Sequence, residues 1–355
     1  MKDLSTQIRT TVETAVWAPS GDNSQPWHFT LHDNTLRIRL EPERDNPILN
    51  FRLSGTYIAH GALIENLVLA APLSGLSAVV RILPDPNDPL CTAAITFLEA
   101  DGEADPLAAL IRARHTNRKS YAKKPLAPDA LDALLHSAEP IADAHLSLIT
   151  DARAIRAVAE ASAQMEQIAL ETPALRDIFI GDILWTEEEN RSGKQGLYIR
   201  TMELPLPARF ILRHFSHPLV AKAARAIGFA KLANATDTKL YATSPAMGLV
   251  SIREESPAAY LAAGRLLERV WLAATGENLA FHPVTGILFL ARSVAHDAAE
   301  RLLPEHLPVI RAADAKIRRA FALPEGAVCA MLFRVGFAPA ASARSARRAP
   351  DIRTS

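Results

Sequence analysis

Residues 57–76 read YIAHGALIENLVLAAPLSGL, and residues 260–279 read YLAAGRLLERVWLAATGENL. Both segments place apolar residues at helical spacing, with a small residue on the packing face. A glycine inside a helix costs about 1 kcal/mol relative to alanine, so a glycine at the same place in each segment predicts close helix–helix approach. They are either two unrelated amphipathic helices or matching helices of a duplicated, fused unit, and the gapless match favours duplication. Identical pairs include Tyr57/Tyr260, Gly61/Gly264, Leu63/Leu266, Glu65/Glu268, Leu69/Leu272, Ala70/Ala273 and Ala71/Ala274.

The chain around this repeat alternates between the patterns of helices and strands. Helices are predicted at residues 2–18, 105–115, 127–138 and 151–170. Strands are predicted at residues 77–83, 91–99, 144–150, 283–290 and 325–337, with a hairpin at 27–42 that turns at Asp33-Asn34. The Ala/Ser/Arg-rich tail beyond Ala338 has the composition of a disordered terminus. The sequence therefore predicts an α+β protein.

Residues 171–245 match nothing in the first half of the chain and are predicted to be an insertion. Clusters of charge stand next to aromatic residues there, at Trp185, Tyr198, Phe210 and Phe215. Such a pattern fits a mobile cover over a site, an interaction surface or additional helical packing.

The composition excludes several classes of function. Lys+Arg and Asp+Glu each number 39, so there is no basic excess to attract nucleic acid or an anionic membrane. No apolar run approaches the roughly 18 residues that span a bilayer, and the first residues lack the apolar core of a signal peptide. Cys91 and Cys329 lie far apart in apolar runs, as reduced buried thiols do. We expect a cytoplasmic protein with no nucleic-acid or membrane partner.

Sequence motifs for other chemistries are missing. The chain has no G-x-S-x-G, H-E-x-x-H, C-x-x-C, P-loop or G-x-G-x-x-G pattern. His214 and His217 have no third ligand signature beside them, so packing or surface roles are favoured over metal binding. We expect no metal site.

The segment APSGDNSQPWHF, residues 18–29, has the composition of a helix end, a tight turn and the entry into a strand. That interpretation explains the residue types but not their order. The order resembles the Pro-Ser-x-x-Asn-x-Gln-Pro-Trp motif of FMN-dependent nitroreductases. The resemblance implies that Pro19, Ser20 and Gly21 approach the flavin ring and that Asn23 hydrogen-bonds its polar edge.

The segment RARHTNRKSY, residues 112–121, is by itself typical of a solvated basic run at a helix end. It is similar to the nitroreductase motif Arg-x-Ser/Thr-x-Arg/Lys, which holds the phosphate and the pyrimidine side of FMN. The resemblance implies that Arg114, Thr116 and Arg118 bind the cofactor. Guanidinium groups and a hydroxyl are suitable donors to a phosphate monoester.

Two further elements resemble the family less closely. FHPVTG, residues 281–286, is similar to the loop whose backbone approaches flavin N5, which implies contacts from Pro283, Thr285 and Gly286. Arg347-Arg348-Ala349-Pro350 resembles the C-terminal Arg-x-Pro element that reaches the phosphate, which implies a contact from Arg348. A floppy basic tail is the alternative there.

The distribution of the two main motifs implies a fused pseudo-dimer. Ordinary nitroreductases carry both motifs in one short chain, and each FMN takes one motif from each of two subunits. Here the Pro-Ser turn survives only in the first half and the Arg motif only in the second, so the chain resembles the double-length subgroup in which one chain imitates the dimer. We expect a nitroreductase-like three-layer α/β/α fold with fused halves at residues 1–104 and 105–355, a lid at 171–245 and one complete site. The chain is then a monomeric pseudo-dimer or a homodimer.

The resemblance also implies a function. An FMN-binding oxidoreductase of this type accepts hydride from NAD(P)H and passes it to a nitro, quinone or similar small acceptor, with no catalytic residue required from the protein. Arg118 would stabilise the negative charge of reduced flavin. Two alternatives remain: a protein that sequesters FMN under a lid with little or no NAD(P)H-dependent turnover, and a protein–protein module that has lost flavin.

Overall fold

The computed structural model describes residues 3–354 and confirms the α+β class. Its helices are α1 (Leu4–Ala15), α2 (Ser54–Ala70), α3 (Pro128–Ala138), α4 (Ala152–Ser162), α5 (Gln164–Glu171), α6 (Pro173–Gly181), α7 (Glu187–Arg191), α8 (Leu206–Arg213), α9 (Pro218–Ala226), α10 (Phe229–Tyr241), α11 (Pro257–Gly276), α12 (Gly286–Ala295) and α13 (His306–Ala320). Its strands are β1 (Trp27–His32), β2 (Thr35–Leu40), β3 (Leu76–Ile82), β4 (Cys91–Glu99), β5 (His145–Ile149), β6 (Ile183–Leu184), β7 (Leu197–Tyr198), β8 (Ala246–Ile252), β9 (Ala280–Pro283), β10 (Val328–Gly336) and β11 (Ile352–Thr354).

The two repeated helices, α2 and α11, pack directly against each other at the centre of the molecule. A Cβ atom on Gly61 would lie 2.1 Å from the carbonyl oxygen of Leu261, and one on Gly264 would lie 1.9 Å from the carbonyl oxygen of Ile58. Only glycine leaves room for backbones this close. The close approach predicted from the repeat is confirmed.

The first sheet has the strand order β11-β1-β2-β4-β3, and four of its five strands come from the first half of the chain. The predicted hairpin is confirmed, with Trp27 opposite Leu40 in the β1–β2 register. One face of this sheet packs on α1 and α2, whereas its other face carries the exposed side chains of Arg37 and Arg81.

The second sheet has the order β5-β8-β10-β9 and is covered on both faces. Val250 and Phe333 pack toward α11 in the main core, whereas Leu249 and Leu332 pack toward α4, α12 and α13 in a second core. The alternation of side chains along a strand sends neighbouring residues into these two cores. The predicted three-layer α/β/α arrangement therefore holds for the second half.

Three of the predicted elements are wrong in part. Residues 283–290 are not a strand: β9 ends at Pro283 and α12 begins at Gly286. A short apolar run does not distinguish strand from helix, and here Ile287, Leu290 and Val294 are buried at helical spacing. Residues 105–115 form only a 3₁₀ helix at Pro106–Leu110, because the chain then turns inward to bury Arg114. Residues 151–170 are two helices that meet at Ala163.

The C-terminal tail is ordered, contrary to the composition-based prediction. Two side chains of the turn at residues 18–29 hydrogen-bond to the backbone of the tail. The Asn23 amide donates to the Ala346 carbonyl (3.1 Å), and the Arg348 N–H donates to Gln25 Oε1 (2.9 Å). The tail then adds β11 parallel to β1, so the end of the second half completes the sheet of the first. The composition predicted disorder because these partners lie more than 300 residues away in the chain.

The insertion at residues 171–245 folds into α6 to α10 and the two-stranded sheet β6–β7. Tyr198 and Phe215 are buried, whereas Phe210 is 61% exposed. Across residues 3–354, no helix combines the length and the apolar character that crossing a membrane requires.

Candidate functional site

One cavity gathers both halves, the insertion and the C-terminal tail. Its volume is about 290 Å³, which is close to the lower end of the range for ligand pockets. All the predicted site residues except Arg348 line it, namely Pro19, Ser20, Gly21, Asn23, Arg114, Thr116, Arg118, Pro283, Thr285 and Gly286. Residues far apart in the sequence thus meet where the motifs predicted, and their binding of a flavin stays a prediction.

The turn that carries Pro19 to Asn23 is held in a left-handed backbone. Asp22 has φ 45° and Asn23 has φ 58°, values that Asp and Asn tolerate better than other non-glycine residues. The Ser20 hydroxyl accepts from the Gln25 N–H at 3.0 Å and closes the turn. The Asn23 amide faces the tail: its Oδ1 accepts from Arg347 Nη1 at 2.8 Å. A hydrogen bond from Asn23 to a ligand would require it to exchange one of these partners.

Arg114 is buried and held in place by a carboxylate and an indole. Its Nε lies 3.1 Å from Glu268 Oε1, and neither side chain is more than 2% exposed. The guanidinium lies 4.3 Å from the ring centroid of Trp271, and Nη2 donates to the Trp17 carbonyl at 2.5 Å. Burial raises the pKa of Glu268, and the charge of Arg114 opposes that rise.

Two tail arginines join Arg114 at this end of the cavity. Arg344 donates to the Arg114 carbonyl at 2.9 Å, and the guanidinium groups of Arg344 and Arg347 lie 5.4 and 5.7 Å from the ring centroid of Trp17. Burial, with repulsion from Arg114 and Arg344, lowers the pKa of Arg347 to about 9. Arg347 Nε is buried without a hydrogen-bond partner among the described residues. Three guanidinium groups lie near one carboxylate, that of Glu268, so this end of the cavity carries an excess of positive charge.

The second part of the Arg motif connects the loop at 281–286 to the insertion. Thr116 forms a parallel bridge with Phe281, which brings that loop against the cavity. Arg118 donates to the Thr201 carbonyl at 3.1 Å. Burial lowers the pKa of Arg118, although nearby Tyr241, Asp22 and Glu166 oppose the shift.

The loop itself is fixed by Thr285 and Gly286. The Thr285 hydroxyl donates to the Leu332 carbonyl (2.9 Å) and accepts from the Leu332 N–H (3.2 Å). A Cβ atom on Gly286 would lie 2.7 Å from Met165 Cγ, so this position is closely packed.

Residues 183–203 of the predicted insertion contribute Leu197 and Thr201 to the cavity wall. We call them the lid segment, after the cover that the sequence predicted. The lid segment is tied to the tail by Glu203, which accepts from the Ser342 N–H at 2.7 Å, and by Asn190, which donates to the Arg344 carbonyl at 3.2 Å and accepts from the Ala346 N–H at 3.0 Å. The same tail contacts Asn23 and lines the cavity, so the lid segment and the cavity wall are held by the same part of the chain.

Arg348 does not line the cavity. Its guanidinium points toward Glu41, with Nη2 and Oε2 3.3 Å apart, while its neighbour Arg347 reaches the cavity instead. The tail motif contains two adjacent arginines, and the sequence alone does not indicate which of them reaches the cavity. Sequence analysis also missed Trp17, Asp22, Asp45 and Arg344, which line the same cavity. Within residues 3–354, no group of three His, Cys, Asp or Glu side chains could hold a metal ion.

Comparison with known proteins places the chain near nitroreductases by sequence. No protein-family model matches it. It is 28% identical over 291 residues to the "Uncharacterized protein MT1398" of Mycobacterium tuberculosis, covering 80% of this chain and 39% of that one. It is 34% identical over 121 residues to the "Putative NAD(P)H nitroreductase acg" of the same species, covering 33% of this chain and 37% of that one. The chain therefore spans less than two fifths of the length of either relative in these alignments.

The resemblance to nitroreductases predicted from the motifs is confirmed by the second relative. The shares covered also show that this relative and the present chain are of similar length.

Solved structures give looser matches. The FMN-bound nitroreductase of Bacteroides fragilis is 13% identical, with 69% of this chain and 94% of that chain covered and a TM-score of 0.36. The nitroreductase NfnB of Mycobacterium smegmatis, solved with NADPH, is 15% identical, with 64% and 86% covered and a TM-score of 0.35. Superpositions this loose carry no argument about ligands.

Proposed function

We propose that this nitroreductase-like chain binds one FMN in the cavity and acts as an oxidoreductase between NAD(P)H and a nitro, quinone or similar small acceptor. The observation that carries the proposal is the cluster of Arg114, Arg344 and Arg347 with the unpartnered Nε of Arg347. Buried donors without an acceptor are costly. A phosphate monoester would supply acceptors and neutralise the excess charge.

The remaining wall suits a planar ring beside that phosphate. Pro19, Pro283 and Phe289 give apolar surface, and Arg118 supplies a half-buried positive charge. When bound there, FMN would supply the hydride chemistry that connects a reduced nicotinamide nucleotide with the acceptor. Arg118, held by the Thr201 carbonyl, would stabilise the charge of the reduced state.

We further propose that the two halves, residues 1–104 and 105–355, act as a pseudo-dimer within one chain. The first half supplies the 19–23 turn, and the second supplies Arg114, Thr116, Arg118 and the tail. Because one chain holds both contributions, a monomer is sufficient for one site. Both cysteines are free and buried, which fits the cytoplasm as the place of function.

A second candidate, an FMN-sequestering protein with little turnover, is favoured by one observation. The lid segment contributes to the cavity wall and is fastened to the tail through Asn190 and Glu203. A lid held this firmly would keep a nicotinamide donor away from the ring.

Mixing the purified protein with NADPH or NADH under anaerobic conditions separates the two functions. Oxidoreductase function predicts a yellow protein whose flavin absorbance is bleached by NADPH or NADH at least as fast as the enzyme turns over. A yellow protein that dithionite bleaches but neither nicotinamide does would support sequestration. A colourless protein that does not take up added FMN would contradict both.

A further inference from the structure

Asp22 has a carboxylate that the fold does not use. It sits in the 3₁₀ turn Gly21–Asn23, lines the cavity and is half-buried. Among the described residues its carboxylate accepts no hydrogen bond, so burial and nearby charges alone set its pKa. Asp45, which also lines the cavity, is by contrast engaged by the Thr56 hydroxyl at 2.7 Å and by the Asn46 N–H at 2.9 Å.

The groups that face Asp22 favour its protonated form. Burial and the like charges of Asp182 and Asp45 raise the pKa of Asp22 to about 6, although Arg118 opposes them. These neighbours come from the end of α6, the loop after β2 and the Arg motif, so the environment is built by three separate segments. A carboxyl with a pKa near neutrality is suited to give up a proton during a reaction.

The other titratable groups on the cavity wall are already committed. His115 lines the cavity, and its Nδ1 lies 2.8 Å from the Ala113 carbonyl oxygen. Glu268 is fully buried next to the lining residue Arg114 and is paired with it at 3.1 Å. Asp22 is the lining acid that combines access to the cavity with an unengaged carboxylate in the described part of the chain.

We propose that Asp22 is the proton donor to the electron acceptor bound in this cavity, an inference that rests on the proposed function. A quinone, for example, takes one hydride and one proton to become the hydroquinone. The hydride brings the electron pair from the reduced cofactor. The O–H bond of Asp22 breaks as a new O–H bond forms on the acceptor oxygen, and the carboxylate then regains a proton from solvent. The substrates favoured are acceptors with an oxygen that becomes basic on reduction, such as quinones and nitro compounds.

The test compares the wild type with Asp22→Asn, which keeps the size of the side chain and removes the proton. The FMN-loaded proteins are reduced with dithionite, so that nicotinamide access plays no part, and are mixed with a benzoquinone in a stopped-flow instrument. General acid catalysis contributes about 10²–10⁴-fold, so we expect reoxidation at pH 5.5 to slow at least tenfold in Asp22→Asn. The wild-type reoxidation rate should fall as the pH rises through about 6. The rate of the variant should show no such fall.

A second variant tests the same carboxyl without changing it. Asp182→Asn removes a like charge, so the pKa of Asp22 should fall. The reoxidation rate should then decrease at a lower pH than in the wild type. In the FMN-free proteins, ¹³C NMR of labelled aspartate should show a carboxyl that titrates near 6 and disappears in Asp22→Asn. Equal reoxidation rates and pH profiles in the wild type and Asp22→Asn would overturn the role of Asp22 while the flavin site stands. Failure of the wild type to bind FMN would overturn the proposed function instead.

Discussion

Glu65 and Glu268 occupy matching positions in the two repeated helices, yet they pair with arginines from different parts of the chain. Glu268 pairs with Arg114 of the Arg motif, with 3.1 Å between Oε1 and Nε. Glu65 accepts from Arg265 Nε at 2.8 Å and from Arg269 Nη1 at 2.9 Å, both on α11. In the first half, which has no Arg motif, the arginines of the opposite helix satisfy the buried carboxylate. The two repeated helices therefore both carry a buried glutamate, but only Glu268 pairs with an arginine that lines the cavity.

The tail arginines provide a matched pair for testing which side chain holds the phosphate. Hydrogen bonds to charged groups contribute about 1.5–3 kcal/mol, so Arg347→Ala should weaken FMN binding roughly ten- to a hundredfold. Arg348→Ala should weaken it by much less, because that guanidinium points toward Glu41. Titration of flavin fluorescence gives both dissociation constants, and a larger loss in Arg348→Ala would reverse the assignment.

Arg114 should contribute both to the stability of the protein and to FMN binding. A second substitution, at Glu268, separates the two contributions. Arg114→Met leaves Glu268 buried and unpaired, which should lower the free energy of unfolding by about 3–5 kcal/mol. Adding Glu268→Gln removes the unpaired charge and should restore much of that loss. FMN binding should stay weak in both variants. Chemical denaturation and FMN titration measure the two effects, and recovery of FMN binding in the double variant would mean that Arg114 has only a structural role.

The contact between α2 and α11 should not tolerate a methyl group. Gly264→Ala would place Cβ 1.9 Å from the Ile58 carbonyl oxygen, and overpacking typically costs about 1–3 kcal/mol. We expect a lower Tm despite the better helix propensity of alanine. Gly102→Ala is the control, since a Cβ there has nothing within 4 Å. Equal melting temperatures for the two variants would contradict the packing described here.

Access to the cavity should depend on the bonds between the lid segment and the tail. Asn190→Ala removes the hydrogen bonds to Arg344 and Ala346, so the lid should open more often and NADPH should reduce the bound flavin faster. The exposed Lys222 of α9 offers a control within the insertion, and Lys222→Ala should leave the rate unchanged. Stopped-flow absorbance at the flavin band measures both; an unchanged rate in Asn190→Ala with FMN retained would show that the lid segment does not gate the site.

The repeat, the strand alternation and the motifs were sufficient to predict the central helix pair, the hairpin and ten of the residues that line the cavity. They succeeded because each depends on local chemistry: glycine at a close approach, alternation in a strand, and residue order in a turn. The helix α12 was mistaken for a strand because an apolar run of eight residues fits both periods.

Long-range contacts explain what the sequence did not predict. The tail is ordered by its hydrogen bonds to Asn23 and Gln25. The contact between Arg347 and Asn23 is also long-range, and it decides which tail arginine faces the cavity. The unengaged carboxylate of Asp22 follows from segments that meet only in three dimensions. No local pattern encodes any of these.

The number of FMN molecules per chain tests the central claim most directly. The purified protein is saturated with FMN, freed of excess cofactor and heated, and the released flavin is quantified against protein concentration. One complete site made from two halves predicts a ratio near one. A ratio near two would mean that the Glu65 side of the repeat also binds flavin, and a ratio near zero would contradict the flavin site altogether.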